Sequence, residues 1–143
     1  MLNQDSNREI IFDPEQALSF EGETGPYVQY TYARTCSILK KYKGKIKGKV
    51  DFSLLNNDEE KKIVKILADF PETVEKTALS YKPNLICRAL LDISQAFNEY
   101  YHKHKILQEN KKLEEARVLL VFCVKNVIEN GLGLLSIKVA EEM

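Results

Sequence analysis

Phe20-Glu21-Gly22-Glu23-Thr24-Gly25-Pro26-Tyr27-Val28-Gln29-Tyr30-Thr31-Tyr32-Ala33-Arg34 holds a tight turn, a helix start and three tyrosines in fifteen residues. Gly22 and Gly25 permit backbone angles that side chains disfavour. Pro26 suits the first turn of a helix, where its missing N–H costs nothing. The spacing predicts a helix from about Pro26 to Tyr42, with Val28, Thr31, Tyr32, Thr35, Ile38, Leu39 and Tyr42 on its core face. Tyr27, Tyr30 and Arg34 then fall on or near the other side. An aromatic there can pack into a core or offer its face to an unstacked base.

Outward from this stretch the chain reads as helical throughout. Asp13-Pro14-Glu15 is a cap and first turn for a short helix to about Ser19. Ile10, Ile11 and Phe12 form an apolar segment expected to dock on something that precedes it. A helix from Asn57 or Asp58 carries Ile63, Val64, Ile66, Leu67 and Phe70. Pro71 is expected to break it and start another with Val74, Ala78 and Leu79. Pro83 is expected to open the longest helix, with Ile86, Ala89, Leu90, Ile93, Ala96, Phe97, Tyr100 and Tyr101 at core spacing. A last helix spans about Lys111–Asn130, with Gly131 read as the residue that ends it. Val118–Val124 is apolar without a break, and its place in a longer helical pattern argues for a buried helix over a strand. The expected architecture is an all-α bundle of about five helices.

Composition narrows the function. The chain has 143 residues with 21 Lys+Arg and 21 Asp+Glu, so bulk positive charge cannot hold it to nucleic acid. The positive charge is local: Lys40, Lys41, Lys43, Lys45, Lys47 and Lys49 crowd an acid-free segment with two glycines. They suit either a mobile solvated loop or a track for a phosphate backbone. Cys36, Cys87 and Cys123 share no metal-ligand spacing and read as buried small hydrophobes in a reducing compartment. No signal peptide or long apolar run is legible, so the expectation is a cytoplasmic protein with no membrane partner.

Catalytic patterns are missing from the sequence. His102 and His104 are two apart on a helix and do not share a face. Gly22-Glu23-Thr24-Gly25 lacks the lysine and preceding strand of a phosphate-binding loop. Asp58, Glu59, Glu60, Glu114 and Glu115 read as exposed carboxylates favouring helix N-termini. No catalytic residue, metal ligand or cofactor site is assigned, and the chain reads as a binding module.

The opening stretch, from Phe20 through Tyr30 with Tyr32-Ala33-Arg34, resembles the junction motif of arginyl-tRNA synthetases. That motif enters their helical C-terminal anticodon-binding domain. Three further stretches resemble the family in the same order. They are Leu90-Leu91-Asp92-Ile93-Ser94-Gln95-Ala96-Phe97-Asn98 with Tyr100-Tyr101, Glu115-Ala116-Arg117, and Asn130-Gly131-Leu132-Gly133-Leu134-Leu135-Ser136-Ile137 with terminal Glu141-Glu142-Met143. The Asp-Ala-Leu-Arg signature of the domain is not legible, and Lys138-Val139-Ala140 replaces a proline common before the terminal Glu-x-Met.

The resemblance implies residues 1–20 as a remnant of the catalytic-domain junction and 21–143 as the anticodon-binding domain. It implies the tRNA(Arg) anticodon stem-loop and the absent catalytic domain as partners. ATP and magnesium would serve the parent ligase, with no cofactor in this fragment. Its anticodon contacts match Tyr27, Tyr101 and Met143. Beside them, Tyr30, Arg34, Lys40 and Lys41 are candidate RNA contacts. The packing alternatives stay open. Tyr100 is expected to be buried. Tyr101 lies at the edge of the core face, where spacing alone leaves core and surface equally open, and Tyr30 and Tyr32 equally suit helix packing. Arg34 is expected either to pair with an acid such as Glu21 or Glu23 or to touch RNA. The rival functions are a helical protein-interaction module without RNA binding, or the equivalent domain of another class I synthetase such as the cysteinyl enzyme.

Overall fold

A computed structural model describes residues 13–15, 22–45 and 49–142. Four α-helices run through them: α1 Gly25–Lys41, α2 Asp58–Ser80, α3 Asn84–Lys103 and α4 Lys111–Leu134, with a single 3-10 turn at Phe52–Leu54. The all-α expectation holds with four helices rather than about five. Pro14 and Glu15 are helical, and the rest of the short helix expected to Ser19 lies outside the described residues, as do Ile10, Ile11 and Phe12.

The start of α1 is built as its sequence requires. Gly22 sits at φ +82°, where a side chain would be strained. Thr24 caps the helix, its Oγ1 accepting from the Tyr27 backbone N–H at 3.2 Å. α1 packs on α3 and α4, α2 packs on the same two helices, and α1 and α2 do not meet. α3 and α4 are therefore the central pair. Ile93, Phe97 and Tyr100 of α3 and Val121, Val124 and Ile128 of α4 have no exposed surface.

The proline expectation fails: α2 runs unbroken through Pro71. Proline in a helix interior costs about 3 kcal/mol, because one N–H is lost and the ring crowds the preceding turn. The offset is tertiary. Ile63, Phe70 and Thr77 are buried at seven-residue intervals, so one stripe crosses Pro71 without changing face. That stripe packs on α3. Val64, Ala78 and Leu79 fall off the stripe and are exposed. α3 begins after Pro83 as expected, but at 20 residues it is shorter than α4 at 24.

Gly131 does not end α4, which continues to Leu134. A Cβ at Gly131 would lie 2.6 Å from Leu90 Cδ2, so the glycine serves a close approach between α3 and α4. Two of the carboxylates read as exposed are also buried. Glu60 has no exposed surface and accepts from Arg117 Nε at 2.8 Å and Tyr100 Oη at 3.3 Å. Glu114 accepts from the Gln108 backbone N–H and Lys111 Nζ. Both carboxylates answer donors that the tertiary fold presents to them. Cys36 and Cys87 are buried, whereas Cys123 is exposed on α4.

Candidate nucleic-acid interface

The seam between α1 and α3 gathers most of the expected site. Side chains that touch across it are separated in sequence by a near-constant 64 to 67 positions, so the two helices run parallel. On α1, Tyr27, Tyr30, Arg34 and Lys41 follow i, i+3, i+7 and i+14 spacing and share a face at 3.6 residues per turn. α3 sets Gln95, Asn98 and Tyr101 beside that face.

At the centre of the seam the Arg34 guanidinium carbon lies 4.6 Å from the Tyr30 ring centroid and 4.6 Å from that of Tyr101. Arg34 Nη2 donates to Tyr30 Oη at 2.7 Å, and Nη1 donates to Asn98 Oδ1. Of the acids suggested for Arg34, Glu21 lies outside the described residues and Glu23 turns elsewhere. Glu23 accepts from Arg88, which also pairs with Asp92 at 3.0 Å. Tyr30 is 37% exposed and Tyr101 40%, so each keeps ring surface open to solvent. The neighbouring Tyr100 is fully buried, as its spacing required, and burial pushes its hydroxyl pKa up.

Tyr27 is half-buried at the other end of the seam, about 10 Å from Arg34 along α1 at 1.5 Å per residue. It lines a groove with Leu91, Asp92 and Gln95, rimmed by Glu23 and Arg88. Tyr27 and Tyr101 thus belong to one seam without touching through a shared pocket. Met143 lies outside the described residues, but the tail before it is placed. Gln29 donates from Nε2 to Lys138 O at 2.7 Å and accepts at Oε1 from the Ala140 N–H at 3.1 Å.

The lysines divide. Lys40 turns away from the tyrosine face and pairs with Glu142 at 2.8 Å, which raises its pKa. Lys41 stays on the tyrosine face and is exposed, and Lys43, Lys45 and Lys49 are exposed beyond it. Lys47 lies outside the described residues. Sequence reasoning missed Asn98, Thr31, Gln29 and Arg88. The first two carried a signal: a lone amide on the apolar face of α3 and threonines on the core face of α1 need polar partners once buried.

A family model described as the DALR anticodon binding domain matches residues 28–143. The chain belongs to that family. An arginine–tRNA ligase from Halothermothrix orenii is 44% identical over 136 residues, 95% of this chain and 24% of that protein. One from Alkaliphilus metalliredigens is 39% identical over 142 residues, 99% of this chain and 25% of the relative. Among solved structures, Thermus thermophilus arginyl-tRNA synthetase superposes with a TM-score of 0.89 at 35% identity, covering 99% of this chain and 25% of that one. The chain spans about a quarter of the length of the curated relatives it matches. Among the described residues no helix is long and apolar enough to cross a membrane, and no group of three or more His, Cys, Asp or Glu is set to hold a metal ion.

Proposed function

We propose that this chain is the anticodon-reading domain of an arginine–tRNA ligase and holds the anticodon loop of tRNA(Arg) along the α1–α3 seam. The observation that carries the reading is the exposed Tyr30–Arg34–Tyr101 stack, with Tyr27 on the same seam and Lys41 on the same helix face. Loop bases are single-stranded and can splay onto aromatic faces. A stack of this kind contributes roughly 1–3 kcal/mol per base. Lys41, Lys43, Lys45 and Lys49 suit a path for the backbone leaving the seam, and Met143 adds an apolar surface at the end of the tail. Residues 21–143 form this unit, and residues 1–20 belong to the junction with a catalytic domain. That domain would supply the ATP- and magnesium-dependent joining of arginine to tRNA in the cytoplasm.

The test is binding to the tRNA(Arg) anticodon stem-loop at low salt, beside a loop with its middle base changed. Preference for the arginine anticodon supports the reading; equal binding to both removes discrimination from this domain. A second reading, a protein-docking module, is favoured by an apolar groove among Phe52, Leu55, Val64, Leu120 and Cys123, where Phe52 is 57% exposed. Native mass measurement of self-association, with no stem-loop binding, would favour it instead.

A further inference from the structure

We propose that Asn98 is a positioning residue of the α1–α3 seam. Its amide locks the Arg34 guanidinium between Tyr30 and Tyr101, so both rings are set before any base arrives. The polarity of the amide follows from its neighbours. Thr31 Oγ1 donates its single proton to Tyr27 O at 2.9 Å, so toward Asn98 it can only accept. Asn98 Nδ2 donates to it at 2.9 Å. The Oδ1 atom must then face Arg34, which has only donors, and Nη1 donates to it. Thr31 is 0% exposed and Asn98 7%, so the relay has little access to water.

The relay changes what Arg34 can do. A guanidinium held by Asn98 and Tyr30 Oη, with a ring near either side, is not free to swing to a phosphate. It acts as a fixed spacer. Tyr101 also leans on Phe97, at 6.4 Å between centroids, and on His102, at 5.9 Å. Releasing Arg34 removes one restraint from each of two partly exposed rings, and a base must then supply that part of the ordering cost on binding.

The inference rests on the anticodon-loop reading for its RNA arm alone. Three variants of the full chain are compared with wild type: Asn98→Leu, Asn98→Asp and Thr31→Val. Without RNA, NMR follows the Arg34 Nε–H and Nη–H signals, shifted upfield by two tyrosine rings and slow to exchange. Asn98→Leu should erase that signature, Thr31→Val should weaken it by freeing the amide to flip, and Asn98→Asp should keep it. With the stem-loop, Asn98→Leu should weaken binding roughly tenfold, as expected for loss of a hydrogen bond to a charged group. Asn98→Asp should restore most of it. The slope of log affinity against log salt should stay unchanged in Asn98→Leu, whereas losing a phosphate contact would reduce it by about 0.7. An Arg34 signature that survives Asn98→Leu overturns the proposal, as does a reduced salt slope, which would make Arg34 a phosphate ligand. A lost signature with unchanged affinity also overturns it. Wild-type chain that binds no stem-loop defeats the anticodon reading, and the NMR arm still decides whether Asn98 positions Arg34. If Asn98→Leu fails to fold, Thr31→Val carries the same two readouts, and an intact signature there overturns the relay.

Discussion

Glu60 and Arg117 meet at 2.8 Å in the interior, although 57 positions separate them in the chain. Arg117 also donates from Nη1 to Lys105 O at 2.8 Å, so the pair ties the start of α2 to α4 and to the loop after α3. Removing one partner leaves a buried charge with no counterpart. Arg117→Ala should therefore cost about 3–5 kcal/mol in urea unfolding. The double variant Glu60→Leu/Arg117→Met should lie much closer to wild type, because neither charge remains. Equal losses in the single and the double variant would contradict this account.

Gly131 and Leu90 make a second prediction. Gly131→Ala gains about 1 kcal/mol in helix propensity but overpacks the α3–α4 contact, at a cost of about 1–3 kcal/mol. It should be net destabilising in the wild-type background. In a Leu90→Ala background the space is open and the same change should stabilise. Equilibrium unfolding of the four proteins gives the coupling, and additive effects would mean that the close approach does not limit this site.

Tyr100 and Tyr101 are adjacent in sequence, yet the first is fully buried and the second partly exposed. Tyr100→Ala opens the core and should lower stability by about 3–5 kcal/mol. Tyr101→Ala should leave far-UV helicity intact and weaken stem-loop binding by about 1–3 kcal/mol, the size of one lost stack. Circular dichroism and a binding titration separate the two. Loss of helicity in Tyr101→Ala would place that ring in the core instead.

Acid should loosen the contact between the start of α2 and the end of α3. Lys103 Nζ lies 2.7 Å from Glu59 Oε1 and His104 Nε2 lies 3.1 Å from Oε2. Lys103 first, then a backbone hydrogen bond and His104, hold the Glu59 carboxyl down from 4.5 to about 2. A carboxylate depressed on folding stabilises fully above its unfolded value, and the contribution is lost as pH falls through the folded one. The window is thus from pH 4.5 down to about 2. Melting temperature against pH should fall more steeply there in wild type than in Glu59→Gln, and the two curves should converge near its lower end. Parallel curves would remove Glu59 from the acid response.

Whatever depends on spacing within one helix can be read from the amino-acid order. The turn and helix start at Gly22–Pro26 and the buried faces of α1 and α3 are local, so periodicity and turn chemistry make them legible. Tyr100 as core followed from the same rule, which left Tyr101 at the edge of that face and open between core and surface. The remaining features come from packing between helices, because in each the deciding partner sits on another helix. Pro71 stays inside α2 because one buried stripe from Ile63 to Thr77 crosses it, in a helix that packs on α3. Gly131 stays inside α4 because Leu90 occupies the space its side chain would need. Glu60 is buried because Arg117 and Tyr100 come to it. Arg34 meets Asn98 and Tyr101 because parallel packing of α1 on α3 brings an amide and a ring within its reach. Helical periodicity says which face of a helix is apolar, and only packing supplies the atoms that face meets.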